Sequence, residues 1–206
     1  MNLTVFGANG RVGQNVIKYA LENGHKVKAF VRSAANINAK NIEIVEGNVL
    51  DFEAVNAAMV DTDIVISALG ARNFLETITL MSEGMKNIAL AMYNHDVERV
   101  LAIGGAGILQ ETEKRLRMEH PDFPQNFLNV SNDHLRVYKI LKASSFSYTI
   151  VCPPYMPSDV RTGKYRTLAN YFPDGGLKVS AEDVADFLVN EMVLNKFERQ
   201  RVGITY

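Results

Sequence analysis

The stretch VFGANGRVGQNV, residues 5–16, decides the fold. It sets Gly7, Gly10 and Gly13 at intervals of three, directly after the apolar run Asn2 to Phe6. Gly7 permits a tight turn out of a strand, Gly10 removes a side chain where a pyrophosphate must approach the backbone, and Gly13 lets the next helix pack closely. A helix starting near Val12 then offers free N–H groups and a positive dipole end to phosphates. Glycines alone would be a weak signal, but a strand before and a helix after them make a dinucleotide the expected ligand.

Outward from this turn, short β-branched runs alternate with helical periods, the pattern of a parallel sheet wrapped by helices. The expected strands are Asn2 to Phe6, Lys26 to Val31, Ile42 to Val45, Asp63 to Ala68, Arg99 to Ile103 and Tyr148 to Cys152. The expected helices are Val12 to Glu22, Phe52 to Met59, Ile78 to His95, Asp133 to Ser144 and Ala181 to Leu194, the last capped by Ser180. The fold class is therefore α/β, a single-domain, doubly wound parallel sheet of Rossmann type spanning residues 1–206. Two stretches break the alternation, at about 105–132 and 153–178. Both follow strands at their carboxyl ends, where ligands bind in open α/β sheets, and they are the expected walls of a substrate site.

The second strand bears on which dinucleotide binds. Sites selective for NAD place a carboxylate at its end, on the ribose 2′-hydroxyl. No Asp or Glu occurs between Glu22 and Glu43, and KVKAFVRS ends instead in Arg32 and Ser33. A planar guanidinium suits a 2′-phosphate, so NADPH is expected over NADH.

Composition excludes several other classes. With 22 basic and 23 acidic groups the net charge is -1, which gives no field for nucleic acid or an anionic membrane. The longest apolar runs, such as DIVISALGA from Asp63, fall short of the ~18 residues a membrane span needs. A strand pattern beginning at Asn2 leaves no room for a secretion signal, and a lone cysteine, Cys152, suits a reducing compartment. A cytoplasmic location, a small-molecule partner and a monomer or weak homodimer are expected. No His, Cys and carboxylate set has a metal-site spacing.

The spacing GxxGxxG belongs to the short-chain dehydrogenase/reductase superfamily. Further stretches, AFVRS, EGNVLD, ALGARN, MSEGMKNIALAM, NDHLRVYKIL and YTIVCPPYM, resemble atypical members related to NADPH-dependent flavin reductase, or biliverdin-IXβ reductase. The resemblance spans almost the whole chain. It implies NADP in the cleft, with flavin as a substrate rather than a tightly bound cofactor, and hydride transfer from NADPH to flavin or a similar flat acceptor. It assigns Gly7, Ala8, Asn9, Gly10, Arg11, Val12 and Gly13 to the phosphates, Arg32 to the 2′-phosphate, with Ser33 beside it as a further cofactor-binding candidate, and Asn48 and Val49 to the adenine. Many relatives have Asp where Asn48 stands. Ala68, Leu69, Gly70 and Arg72 would lie by the ribose and nicotinamide, with Ile103 and Gly104 on the next strand and Pro153, Pro154 and Tyr155 at the nicotinamide end.

The catalytic groups depart from the superfamily's pattern. Gly105 stands where the flavin reductases carry serine, and alignment on ILKASSFSYTIV places the usual Tyr and Lys positions at Val130 and His134. The pair Tyr138 and Lys142 has the right spacing but falls two turns too far along the helix. His134 and Tyr155 are the remaining catalytic candidates, His134 near the first turn of a helix capped by Ser131, Asn132 or Asp133. An alternative reading is a catalytically weak protein that senses NAD(P) and signals through a partner surface.

Overall fold

The structure, a computed structural model, describes residues 1–37, 39–71, 73–74, 76–157 and 160–206. Strand β1 (Asn2–Phe6) leads into α1 (Arg11–Glu22), β2 (Lys26–Val31) and β3 (Glu43–Glu46). Then come α2 (Phe52–Ala58), β4 (Ile64–Ser67), α3 (Leu80–Asn94) and β5 (Arg99–Ile103). A hairpin of β6 (Gln110–Thr112) and β7 (Arg115–Leu116) precedes α4 (Leu128–Ala143) and β8 (Ser147–Cys152). The chain closes with β9 (Arg166–Ala169), α5 (Ala181–Leu194) and β10 (Gln200–Thr205).

One sheet takes the order β3-β2-β1-β4-β5-β8-β10-β9, parallel except for β9, which pairs antiparallel with β10 at the edge. Side chains alternate across it with period two. Leu3, Val5, Val27, Ala29, Ile64, Ile66 and Leu101 face the layer of α1 and α5. Phe6, Phe30, Val65, Val100 and Ala102 face the layer of α2, α3 and α4. Buried on both sides, these strands read as continuous apolar runs, each fully buried aliphatic contributing roughly 1.5–3 kcal/mol.

Strand order reverses between β1 and β4, which opens a crevice beyond their carboxyl ends. The turns after those strands touch there. A β-carbon on Gly7 would lie 2.4 Å from the Ala68 carbonyl oxygen, and Gly7 adopts φ +75°.

Three features differ from the sequence pattern. Strands β9 and β10 were not expected, although Val202 and Ile204 of β10 are fully buried. The stretch 105–132 holds a hairpin and the first residues of α4 rather than loop throughout. Helix α4 begins at Leu128, five residues before Asp133, so Ser131, Asn132 and Asp133 are interior helical residues and not its caps.

Candidate functional site

The glycine turn delivers an open helix end to the crevice. Gly10 is the N-cap of α1 and has no side chain to close it, and the first turn carries no acidic residue. By contrast, Ser180 Oγ caps α5 and Asp51 caps α2, each with acid in the first turn. The first N–H of α1 satisfied by the helix start is that of Gln14, bonded to the Gly10 carbonyl at 3.0 Å. Arg11, Val12 and Gly13 therefore present amide donors with a positive dipole behind them, suited to a diphosphate. Gly13 is held tightly, since a β-carbon there would sit 2.4 Å from the Gly7 carbonyl oxygen.

Around this end the expected residues fall into two groups. Ala8 and Val12 turn their side chains into the core, leaving only backbone for a ligand. Asn9 donates from Nδ2 to the Ser33 carbonyl at 3.2 Å, and its buried Oδ1 has no partner among the described residues. That orphaned acceptor and the open helix end fit a phosphate-bearing ligand with hydroxyl donors. Arg11 donates from Nη1 to the Met156 carbonyl at 2.8 Å, joining the turn to the segment after β8.

Arg32 is exposed at the end of β2 and pairs with no carboxylate among the described residues. Ser33 Oγ accepts weakly from the Ala35 N–H at 3.4 Å. Glu46, which the sequence reading passed over, ends the neighbouring strand opposite Val31 and accepts from the Ala34 N–H at 2.6 Å. Asn48 is exposed with Oδ1 accepting from Leu50 N–H at 3.1 Å, while Val49 is buried and its carbonyl accepts from Asn87. Ala68 and Leu69 are half-buried after β4, and a β-carbon on Gly70 would meet nothing within 4 Å. Arg72 lies outside the described residues.

The other half of the crevice is assembled after β5 and β8. Ile103 is half-buried, and Gly104 is buried with its N–H donating to Val151 at 2.7 Å. Ala106 N–H donates to the Pro153 carbonyl at 3.1 Å, tying the two turns together. Pro154 is half-buried and Tyr155 is 71% exposed, its carbonyl accepting from Val179 N–H. The two expected substrate segments also meet, Gln110 N–H donating to the Asn170 carbonyl at 2.9 Å, but that contact lies away from the crevice, beside Arg201.

His134 sits in the second turn of α4, not the first, and is 8% exposed. A β-carbon on Gly105 would lie 3.3 Å from its Cδ2 and 3.7 Å from its Nε2, so the imidazole edge borders the position where the resemblance implies a serine. Burial lowers its pKa to about 4, with the adjacent Asp133 carboxylate opposing in part. The ring is neutral at pH 7 and cannot serve as an imidazolium acid there; hydrogen bonding remains open to its Nδ1, which has no partner among the described residues. Cys152 is buried, its thiol pushed up to about 12 chiefly by burial, which makes it an inert core residue.

Two further residues of α4 matter here. Asp133 is fully buried and its Oδ2 accepts from Met81 N–H at 2.9 Å and Ser82 N–H at 3.4 Å, capping α3 from another helix. Ser131, buried one turn before His134, brings Oγ within 2.6 Å of where a β-carbon on Gly107 would be. No local signal identifies the first contact, whose partners are 52 residues apart. Tyr138 and Lys142 lie elsewhere, against Arg201 and Tyr148 rather than the crevice.

A doubly wound sheet whose switch-point crevice ends in an open helix defines a Rossmann-type dinucleotide-binding protein. Residues 7–193 match the NAD(P)H-binding family, and the chain belongs to that family. It is 29% identical over 171 residues to the uncharacterized protein YwnB of Bacillus subtilis, covering 81% of this chain and 78% of YwnB. It is 26% identical to the photosystem II assembly factor Ycf39 of Synechocystis, where the match takes in 97% of this chain and only 61% of Ycf39. Among solved structures, a protein of Streptococcus pneumoniae provisionally assigned as an NADH-flavin reductase superposes with a TM-score of 0.87 at 27% identity. That match covers 100% of this chain and 99% of the other.

Proposed function

We propose that the protein is an NADPH-dependent reductase that passes hydride to flavin or another flat conjugated acceptor. The observation that carries this reading is the close approach of Gly105 to a buried, neutral His134, which leaves neither a serine hydroxyl nor an imidazolium there to protonate a ketone's developing alkoxide. Flavin does not need such a donor, because it accepts hydride at a ring nitrogen and takes its proton from water. General acid catalysis typically contributes about 10²–10⁴-fold, or roughly 3–5 kcal/mol, whereas holding reactants in contact contributes about 7–11 kcal/mol. Positioning alone can therefore sustain flavin reduction.

When bound, the coenzyme would supply the hydride. The amides of Arg11, Val12 and Gly13 would hold its diphosphate, Arg32 the 2′-phosphate, and Ala68 to Gly70 the ribose and nicotinamide side. Tyr155, Val160 and Leu177, respectively 71%, 70% and 80% exposed, offer apolar surface on the segment after β8 for a planar acceptor. The same reading places the chain in the cytoplasm, acting on a small molecule as a monomer or weak homodimer. Among the described residues no helix is long and apolar enough to cross a membrane.

The vacant acid position also favours a second reading, a coenzyme-responsive regulator, and similarity to an assembly factor points the same way. An aerobic assay of NADPH oxidation with riboflavin, FMN, quinones and biliverdin separates the two. Flavin-dependent oxidation is expected. Tight binding of NADP and NADPH with equal affinity, and no acceleration by any acceptor, would overturn the reductase and leave the regulator.

A further inference from the structure

Away from the crevice, an open cavity of about 650 Å³ lies where α4, the start of β8, β10 and the β6–β7 hairpin meet. Three bases line it, Lys142, Arg199 and Arg201, against one acid, Glu113. Arg201 is the unusual member because it is only 5% exposed yet has no carboxylate partner among the described residues. Its Nη1 donates to the Ile108 carbonyl and its Nη2 to Gln110 Oε1 at 3.1 Å, while the buried Nε has no acceptor. A buried guanidinium facing neutral acceptors is costly unless a negative charge completes it.

The other two bases differ. Arg199 spends its donors on the carbonyls of Lys142, Ser144 and Phe146, closing the end of α4. Lys142 is exposed, forms no ion pair among the described residues, and holds its ammonium 5.8 Å from the Tyr138 ring centroid. The walls are aromatic as well as basic. Arg201 stacks over Tyr138 at 4.3 Å and Arg199 over Tyr148 at 5.1 Å, and Tyr171, 37% exposed, has no ring or cation on its face among the described residues. Cations beside an uncovered ring suit a ligand that joins a negative group to a flat one.

We propose that this cavity is a second ligand site, separate from the coenzyme crevice, for a small anion that carries a planar ring. Arg201 and Lys142 take the negative group and Tyr171 takes the ring. The cavity volume falls within the range of small-molecule sites.

The test is calorimetric titration of the full chain, already saturated with NADP, using AMP as ring plus phosphate, adenosine as ring alone and inorganic phosphate as anion alone. One AMP per chain is expected, with adenosine and phosphate each at least about tenfold weaker. Lys142→Glu, an exposed change that leaves the core intact, is expected to weaken AMP roughly fivefold or more. Arg201→Gln, if its thermal unfolding shows it folded, is expected to weaken AMP roughly tenfold or more. Absence of AMP binding to the saturated protein, phosphate binding as tightly as AMP, or unchanged affinity in Lys142→Glu would each overturn the proposal.

Discussion

The two halves of the crevice are built by different means. The coenzyme half is local and made of backbone, since the turn from Gly7 to Gly13 closes on itself and its donors are amides. The other half is made of side chains and turns brought together from distant segments, with Gly105 against His134, Ala106 against Pro153 and Asp133 against the start of α3. A backbone requirement leaves a visible trace in sequence, because only glycine meets it. A side-chain environment leaves almost none, because its character comes from burial among residues far along the chain.

The largest expected effect breaks the local half. Gly7→Val forces a β-branched residue to φ +75° with its β-carbon 2.4 Å from the Ala68 carbonyl oxygen. The left-handed conformation costs roughly 1–2 kcal/mol and the clash roughly 1–3 kcal/mol, a total of about 2–5 kcal/mol. Urea unfolding midpoints check it, with Gly70→Ala as control. A β-carbon at Gly70 meets nothing within 4 Å, and a change within about 0.5 kcal/mol is expected. Equal losses in the two variants would remove the distinction between a constrained turn and an open one.

The next effect probes the assembled half through pH. His134 is held near a pKa of about 4 against an ordinary 6.5, so the unfolded chain binds its proton first as pH falls. Its stabilising contribution is complete above about 6.5, declines as pH falls, and is lost by about 4, a change of about 3 kcal/mol in all. Urea denaturation from pH 7 down to pH 4 is expected to show this component in the wild type and not in His134→Gln. Parallel curves for the two proteins would mean that the imidazole is solvated, and would return it to candidacy as an acid.

The same contrast explains what could be read in advance. Strands β1, β2 and β5 and helix α5 fall at their expected bounds because their apolar runs and the Ser180 cap are local signals. Strand β10 was missed because QRVGIT places a buried arginine in a core strand, where Arg201 reaches Ile108, Gln110 and Tyr138, residues far along the chain. The start of α4 was set too late because Ser131, Asn132 and Asp133 have the composition of a cap. Asp133 does cap a helix, but a different one, α3. A propensity tells that a residue will satisfy amide donors, not whose.

The smallest effect sharpens the boundary of the local half, where β2 meets β3. Arg32 is exposed with no carboxylate partner among the described residues, a guanidinium of the kind that favours a 2′-phosphate. Glu46, one strand over, is a carboxylate of the kind that favours the 2′-hydroxyl of NADH, but its Oε1 already accepts from Ala34 N–H at 2.6 Å. A charged hydrogen bond contributes about 1.5–3 kcal/mol, so Arg32→Ala is expected to lower the NADPH preference, measured as a ratio of dissociation constants, roughly 10- to 150-fold. Glu46→Gln removes a charge that the backbone already engages and that solvent screens, so it is expected to raise the ratio by no more than about fivefold. If Glu46→Gln moved the ratio more than Arg32→Ala, coenzyme choice would rest on a contact between strands. The coenzyme half would then share the long-range construction of its neighbour at the very position where the linear sequence looked most explicit.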